Sequence, residues 1–384
     1  MNVKSNFDFV IIGAGMAGAS AAYFLSQDAS VLLLEMEDQP GYHTTGRSAA
    51  LYTEAYGNAP IRALTSAGRS FLTEPPDGFS QTPILTPRGA MFVGREDQLA
   101  ALGAAHAAGS EHVKTMQRLT AREARELVPV LWDDYVAAGV LEADAMDMDV
   151  NALHQGFLRG ARGHGAELRT GVPVQKLHRA GGVWQVHGGG DVVEAAIVIN
   201  AAGAWCDEVA VLAGAGRVGL MPKRRTAILF AGPAEHEFSN WPAFIDVDEE
   251  FYARPESGAM MGSPADETPM SPCDVQPDEL DIAIAVDRLQ TATTLTISRI
   301  NRSWAGLRSF VADKTPVVGF DPGVEGFFWL AGQGGYGIQT APSMGRVAAA
   351  LAMGRSVPED LRRFGVRAED LTPNRFAAGS SGPI

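Results

Sequence analysis

Residues 7–35 read FDFVIIGAGMAGASAAYFLSQDASVLLLE, and this stretch decides the fold. In chain order its pattern predicts a strand, a glycine turn, a helix and a second strand at residues 7–12, 13–18, 19–26 and 31–34. The first strand runs directly into the glycines, and the second ends at Glu35. This order is that of a parallel βαβ unit, so the sequence predicts an α/β fold with a Rossmann-like dinucleotide-binding domain.

The three glycines of the turn have separate roles in this prediction. Gly13 permits the tight bend after the strand, Gly15 lets a pyrophosphate approach the backbone, and Gly18 lets the helix pack against the sheet. The helix N-terminus supplies N–H donors to the phosphates, and the carboxylate of Glu35 is predicted to bind ribose hydroxyls. The simpler alternative is a tight turn with a solvated glutamate at the strand end.

Three further stretches extend the prediction from a dinucleotide to FAD. The loop at 40–50, PGYHTTGRSAA, is rich in glycine and hydroxyl groups and follows closely after the second strand. Such a loop suits a long cofactor, because it wraps the phosphates and reaches the ring. NAAGAW at 200–205 and GQGGYG at 332–337 are small-residue turns that each follow an apolar run. An NAD-dependent dehydrogenase does not need these turns, so that alternative is disfavoured.

The remaining chain predicts a β-rich, antiparallel domain inserted into the nucleotide domain. Its strands are short and separated by Pro and Gly, and Thr294–Ile297 is one of them. A helix at 341–353 follows the last glycine turn. We predict a discontinuous FAD-binding domain at 1–84, 152–222 and 307–376, a substrate-binding domain at 85–151 and 223–306, and a disordered tail at 377–384.

Composition restricts the partners of the protein. The 384 residues have a formal net charge of −14, which disfavours nucleic acid, because phosphate binding needs clustered Lys and Arg. The two cysteines, Cys206 and Cys273, indicate neither a metal cluster nor a disulfide framework, so no metal is expected. No signal peptide or long apolar run is visible. We therefore predict no transmembrane segment and a cytoplasmic location, with peripheral association with the inner membrane left open.

Together these motifs resemble the D-amino acid oxidase (DAO) family of FAD flavoproteins, and within it the bacterial D-arginine dehydrogenases. The resemblance extends over nearly the whole chain and includes KRR at 223–225, DVQP at 274–277, TTLTI at 293–297 and WAGLRSF at 304–310. It implies a glutathione reductase-type FAD-binding domain and an inserted antiparallel substrate domain. The cofactor residues that it and the motifs indicate are Gly13, Gly15, Met16, Ala17, Gly18, Glu35, Met36, His43, Thr44, Gly46, Arg47, Ser48, Ala49, Ala50, Val174, Ala201, Ala202, Gly203, Trp205, Gly332, Gly334, Gly335, Tyr336, Gly337, Ile338 and Gln339.

The FAD is predicted to be non-covalent. Neither cysteine falls in a segment expected to touch the flavin ring. His43 is the one candidate attachment point, and we interpret it as a donor within its loop in preference to a cofactor ligand.

The predicted reaction is oxidation of a D-amino acid to an imino acid by hydride transfer to the flavin N5, with later hydrolysis to a 2-oxo acid and ammonia. Arg308 stands in an apolar run, which suits a bidentate carboxylate clamp, although a structural ion pair is the alternative. The resemblance makes Arg308 the carboxylate binder, Arg225 a second cationic contact, and Tyr56 and Tyr252 phenol donors. It also places the Gly335 carbonyl opposite the substrate amine. From sequence alone, Arg225 equally fits a surface cluster and the tyrosines fit a core.

Two departures from the arginine-preferring relatives alter the predicted side-chain pocket, which we assign to Leu51, Thr53 and Ala90. Ala90 replaces a carboxylate and Leu51 replaces a histidine, so polarity is lost there. We therefore predict neutral or apolar D-amino acids as substrates, in preference to D-arginine. The alternatives are a secondary amine of the sarcosine or glycine type, a 2-hydroxy acid, or a non-catalytic flavoprotein. The electron acceptor is expected to be a quinone or another acceptor, with oxygen left open.

Overall fold

The computed structural model describes residues 6–376, so the predicted disordered tail at 377–384 lies outside the described residues. The strands are β1 (Asn6–Ile12), β2 (Val31–Leu34), β3 (Leu51–Tyr52), β4 (Leu85–Pro87), β5 (Ala90–Gly94), β6 (Met116–Thr120), β7 (Ala138–Glu142), β8 (Met146–Met148), β9 (Glu167–Arg169), β10 (Val174–Ala180), β11 (Val183–Gly188), β12 (Asp191–Asn200), β13 (Met221–Phe230), β14 (Ala243–Asp246), β15 (Tyr252–Glu256), β16 (Ala259–Ser263), β17 (Thr268–Pro269), β18 (Ile300–Phe310), β19 (Val317–Phe320) and β20 (Phe327–Ala331). The helices are α1 (Met16–Leu25), α2 (Ala59–Thr73), α3 (Leu99–Ser110), α4 (Ala121–Leu127), α5 (Val150–Gly163), α6 (Cys206–Leu212), α7 (Glu279–Ala292), α8 (Ala341–Ala352), α9 (Glu359–Arg362) and α10 (Ala368–Leu371).

The first sheet carries the predicted Rossmann-like architecture. Its order is β10-β11-β12-β1-β2-β9, and β1 pairs in parallel with both β2 and β12. The end of β12 also pairs in parallel with β20, which pairs with β19. Strands β1, β2 and β20 are apolar and almost wholly buried, because helices and loops cover both faces of the sheet. The glycine turns therefore follow the carboxyl ends of neighbouring parallel strands, where such sheets bind ligands.

The second sheet is the predicted β-rich unit. Its order is β17-β13-β16-β15-β14-β5-β7-β6, and β18 pairs with β13 along almost its full length. The pairings are antiparallel except between β5 and β14. Strand β13 begins at Met221 and β18 ends at Phe310, so this sheet passes the predicted domain boundaries by a few residues. The boundaries themselves stay a prediction. A small third sheet joins β3, β8 and β4 next to it.

One predicted strand was wrong, and several helices were missed, of which α2 and α7 are the longest. Residues Thr294–Ile297 form a loop after α7. The Thr293 hydroxyl donates to the Leu289 carbonyl at 2.6 Å and accepts the Leu295 N–H at 3.3 Å. These local side-chain bonds replace those of a β-ladder. These two long helices, α2 and α7, are capped by Asn58 and Asp278. Within residues 6–376, no helix is long and apolar enough to cross a membrane.

Candidate active site

Three glycine-rich turns meet at the carboxyl ends of β1, β12 and β20. Gly13 has φ +98°, and a Cβ there would lie 2.5 Å from the Ala201 carbonyl oxygen, so the first two turns are in direct contact. A Cβ at Gly18 would lie 1.9 Å from the Gly13 oxygen, which confirms that this glycine permits close packing of α1. Gly334 has φ +55°, and a Cβ there would meet the Phe310 ring at 2.3 Å. The turns therefore need glycine at these positions.

The first cavity, which we call the nucleotide cavity, has a volume of about 330 Å³ and lies between the β1 and β12 turns. The Glu35 carboxylate lines it and accepts the N–H groups of Ala14 at 2.9 Å and Glu37 at 3.1 Å. These bonds fix the carboxylate at the end of β2, where a ribose would bind. The predicted cofactor residues that line this cavity are Gly13, Gly15, Glu35, Met36, His43, Thr44, Val174, Ala201, Ala202, Gly203 and Trp205.

His43 is held by the protein. Its Nε2 lies 2.8 Å from a Glu37 carboxylate oxygen, and its ring centre lies 4.8 Å from that of Trp205. This contact with Glu37 supports the interpretation of His43 as a group that fixes its own loop.

The linking cavity has a volume of about 140 Å³ and continues from the nucleotide cavity past the N-terminus of α1. The Met16 N–H donates to the Thr45 hydroxyl oxygen at 3.0 Å, which ties the loop at 40–50 to the start of the helix. A cradle of glycines and small residues surrounds the space, so an extended dinucleotide fits along it. The predicted cofactor residues that line it are Gly15, Met16, Ala17, Thr44, Arg47, Ser48, Ala49, Ala201, Gly203, Gly334, Gly335, Gly337 and Ile338.

Arg47 lines the linking cavity, but its guanidinium binds the inserted sheet. It pairs with Asp274 and donates to the carbonyls of Val275 at 2.8 Å and Ala305 at 3.2 Å. The hydrogen bond from Arg47 lowers the pKa of Asp274 and keeps that carboxylate ionised. Arg47 therefore fastens the cofactor loop to the second sheet, a role that sequence reasoning did not assign.

The substrate cavity has a volume of about 100 Å³ and shares a wall with the linking cavity. The wall common to both includes Arg308, Arg225, Tyr252 and Gly335. All four of these predicted substrate residues therefore lie beside the predicted path of the cofactor. The other predicted residues that line this cavity are Ser48, Ala49, Ala50, Leu51, Thr53, Tyr56, Ile338 and Gln339.

Arg308 is the central cation of the substrate cavity. Its partly buried guanidinium forms no hydrogen bond or ion pair with residues 6–376. A Cβ at Gly335 would lie 3.1 Å from an Nη of Arg308, so the glycine leaves space for the guanidinium plane. A partly buried cation without a direct ion pair favours an anionic ligand.

The other polar groups differ in how strongly the protein holds them. Arg225 donates from Nε to the Asp266 carbonyl at 2.9 Å, and its Nη2 lies 3.5 Å from Glu267. Burial raises the pKa of Tyr56, so its phenol stays protonated and can donate. The Tyr56 ring also packs against Tyr336, with ring centres 5.0 Å apart.

Five of the predicted residues line none of the three cavities: Gly18, Gly46, Gly332, Tyr336 and Ala90. Gly18, Gly46 and Gly332 allow close contacts within or next to the turns and do not face a cavity. Tyr336 packs against Ile61 and Phe310. Ala90 was placed wrongly in the pocket wall. It is fully buried, opposite Ala243 and Glu142, and Phe92 supplies the wall from the same strand. Residues two apart on a strand share a face, so the residue of this face that reaches the cavity is Phe92, two positions after Ala90.

Sequence reasoning missed several residues of the substrate cavity. Phe92, Ile245 and Met261 extend its apolar wall. Arg254 also lines it, paired with Asp147 and Glu256 at 2.6 Å each. Side chains alternate between the two faces of a strand, so Arg254 lies on the same face of β15 as Tyr252 and could have been predicted from it.

Glu249 is the acidic side chain of this cavity wall. It lies in the turn between β14 and β15 with φ +58°, and its N–H donates to the Asp246 carbonyl at 2.9 Å. Asp246, itself fully buried, accepts the Asp248 N–H at 3.0 Å and so braces the turn. Residues 246–250 read DVDEE, and the sequence alone does not show which of these carboxylates reaches the cavity.

Comparison with known proteins agrees with this geometry. Residues 8–351 match the DAO family, described as FAD dependent oxidoreductase. The chain belongs to this family of flavoproteins, and FAD is its cofactor. It is 24% identical to the uncharacterized oxidoreductase YurR of Bacillus subtilis over 373 residues, which covers 93% of this chain and 97% of the relative.

Two solved structures show the same fold. Glycine oxidase from Geobacillus kaustophilus superposes with a TM-score of 0.82 at 20% identity, over 94% of this chain and 98% of that one. Iminodiacetate oxidase from Chelativorans sp. BNC1 superposes with a TM-score of 0.78 at 24% identity, over 93% and 98%. The nucleotide and linking cavities fit the family cofactor, because small residues and the α1 N-terminus line them throughout.

Proposed function

We propose that the protein oxidises D-amino acids with neutral or apolar side chains to imino acids, which water then hydrolyses to 2-oxo acids and ammonia. The observation that carries the proposal is the unpaired guanidinium of Arg308 in the wall shared by the substrate and linking cavities. A substrate carboxylate is the ligand that a planar, permanently charged guanidinium binds best.

Different residues of the cavity bind different groups of the substrate. Arg308 holds the carboxylate, and the protonated phenol of Tyr56 donates to it from the side. The family resemblance assigns a second phenol to Tyr252 and the amine contact to the Gly335 carbonyl. FAD, when bound, supplies the two-electron acceptor. The protein contributes a fixed orientation and a small space with little water, and orientation is the main requirement of hydride transfer.

The side-chain end of the cavity supports apolar substrates. Leu51, Phe92, Ile245 and Met261 provide its apolar surface. The cation Arg254 is offset by its two carboxylate partners. The acidic residue in the wall that a D-arginine side chain could contact is Glu249. Because Glu249 is exposed to solvent, water screens its attraction for a guanidinium. The resemblance to D-arginine dehydrogenases therefore concerns the fold and the carboxylate clamp, while the pocket favours a different side chain.

A second candidate is a secondary amine that carries two carboxylates. Arg225 favours it, because one firm bond and one 3.5 Å contact leave further donors available beside Arg308. Two cations could then hold two carboxylates. The iminodiacetate oxidase of similar fold is named for such a substrate.

A substrate screen tests these proposals. The holoenzyme is assayed with paired D- and L-amino acids, sarcosine, glycine, iminodiacetate and D-2-hydroxy acids, using an artificial electron acceptor and then oxygen alone. We expect the highest kcat/KM for D-methionine, D-leucine or D-phenylalanine, and faster turnover with the artificial acceptor. Highest activity with iminodiacetate would favour the second candidate. If no substrate bleaches the flavin under anaerobic conditions, the protein is not a catalyst of this class.

A further inference from the structure

Glu142, at the end of β7, is a buried carboxylate without a cation. It is 1% exposed and forms no ion pair with any residue in the range 6–376. Its Oε1 accepts the Glu54 N–H at 2.8 Å, and its Oε2 accepts the Thr53 hydroxyl and, at 3.4 Å, the Ala55 N–H. The carboxylate belongs to the second sheet, whereas its three donors belong to the segment after β3 that lines the substrate cavity. A buried carboxylate held by hydrogen bonds alone requires a specific explanation.

The bond to Glu142 determines the hydrogen-bonding role of Thr53. In its ionised form, above its raised pKa, the Glu142 carboxylate only accepts, so the single proton of the Thr53 hydroxyl is used by Glu142. The hydroxyl oxygen keeps lone pairs, and Thr53 lies in the wall of the substrate cavity. Gln339 holds the Thr53 backbone, since it accepts the Thr53 N–H at 3.4 Å and donates to the Thr53 carbonyl at 3.3 Å. Thr53 is therefore a fixed acceptor.

We propose that Glu142 is a positioning residue that makes Thr53, which the sequence assigned to the side-chain pocket, an acceptor for the N–H of an amine in addition to the Gly335 carbonyl, so that the cavity selects amines over 2-hydroxy acids of the same carbon skeleton. This inference rests on the proposed function. An ammonium group offers three N–H donors and a positive charge, whereas a hydroxyl offers one proton and no charge. The field of the buried carboxylate favours the cation further. Arg308 binds the carboxylate of both substrates and so does not distinguish between them.

The variant Glu142→Gln should reverse the polarity of Thr53. The 2.8 Å bond from the Glu54 N–H requires an oxygen at the Oε1 position, so the new amide nitrogen takes the Oε2 position. There it donates to the Thr53 hydroxyl oxygen. The Thr53 proton is then free to point into the cavity, which suits an acceptor and disfavours an ammonium group.

The experiment compares a D-amino acid with the D-2-hydroxy acid of the same skeleton, in wild-type and Glu142→Gln holoenzyme. The measured quantity is the ratio of their kcat/KM values, or the inhibition constant of the hydroxy acid where it is not oxidised. We expect the preference for the amine to fall by roughly ten- to a hundredfold, the size of one hydrogen bond to a charged group. Thr53→Ser should retain the preference and Thr53→Val should lose it. Glu142→Gln should change nothing further when added to Thr53→Val.

Glu54→Gln is the matched control. Glu54 is also a buried carboxylate of this region, but its oxygens bind Ser66 at 2.5 Å and Arg69 at 2.6 Å, and it does not line the cavity. We expect this variant to leave the preference unchanged.

The outcomes separate the two proposals. A wild-type enzyme that oxidises no amine refutes the proposed function. An active wild type with an unchanged preference in Glu142→Gln refutes the role of Glu142 alone, and so does an equal change in Glu54→Gln. If Glu142→Gln fails to retain FAD, Thr53→Val decides, because an unchanged preference in that variant overturns the inference.

Discussion

Replacing Arg308 by methionine should remove substrate capture without harming the fold. The side chain keeps its length, while the charge-assisted pair with the substrate carboxylate is lost. Such a pair in a partly desolvated site contributes about 2–5 kcal/mol. The expected fall in kcat/KM is therefore roughly thirtyfold to several thousandfold. Since the Arg308 guanidinium forms no hydrogen bond or ion pair with residues 6–376, its replacement breaks no direct pair and loses only the longer-range attraction of Glu249, so the melting temperature should change little.

The assay measures kcat/KM with an artificial electron acceptor, together with the flavin spectrum and the melting temperature. Arg302→Met is the matched control on the same strand, because Arg302 is exposed and stacks on Trp304 at 5.6 Å, away from the cavity. We expect normal turnover in the control and an intact flavin spectrum in both variants. Near-normal kcat/KM in Arg308→Met would show that the carboxylate binds elsewhere, with Arg225 as the first candidate.

Four further predictions follow from the cavities. Phe92→Ala should lower kcat/KM for large apolar D-amino acids relative to D-alanine, by about fourfold per methylene that loses contact. Position 92 is tested because Ala90 is buried behind the wall. A wild-type enzyme that prefers D-arginine tenfold would contradict the apolar pocket. Gly334→Ala should destabilise the holoenzyme by roughly 1–3 kcal/mol and reduce its FAD content, because of its positive φ and the Phe310 ring. Gly323→Ala should do neither, because a Cβ there would make only an ordinary contact, 3.6 Å from an Asp321 carboxylate oxygen. Acid precipitation should release all of the flavin, and colour left in the pellet would indicate a covalent link. Burial raises the pKa of Glu142 above its ordinary value in the folded protein. Between the ordinary and the raised pKa the folded state binds the proton more readily than the unfolded state, so stability should decrease as the pH rises through this interval, above which Glu142 is ionised. Glu142→Gln should flatten this part of the profile of melting temperature against pH, and an unchanged profile would argue against it.

The nucleotide half of the site could be predicted because its chemistry is local. A positive φ at Gly13 and the close approach at Gly18 are required by a turn of six residues, and only glycine satisfies them. The buried strands on either side are visible as apolar runs. Arg308 was found in the same way, as a charge within an apolar strand.

The substrate half depends on contacts between distant segments. The sequence places Ala90 on a strand, but which residues of that face reach the cavity depends on how β14 and β7 pair on either side of β5. Thr294–Ile297 has strand composition and forms a loop, because its bonds are made with the preceding helix and with Val130.

The sequence by itself determined the family and the cofactor and singled out Arg308 as the candidate carboxylate clamp, because the motifs that carry these predictions each lie within a short segment. Only the tertiary structure showed that Glu142 binds Thr53, that Arg47 fastens the cofactor loop to Asp274, and that Glu249 reaches the cavity. These contacts join residues 89 and 227 positions apart in the first two cases. A hydrogen bond requires donor and acceptor within about 3 Å. No local pattern specifies such an approach, so it is decided by how segments distant in the sequence pack together.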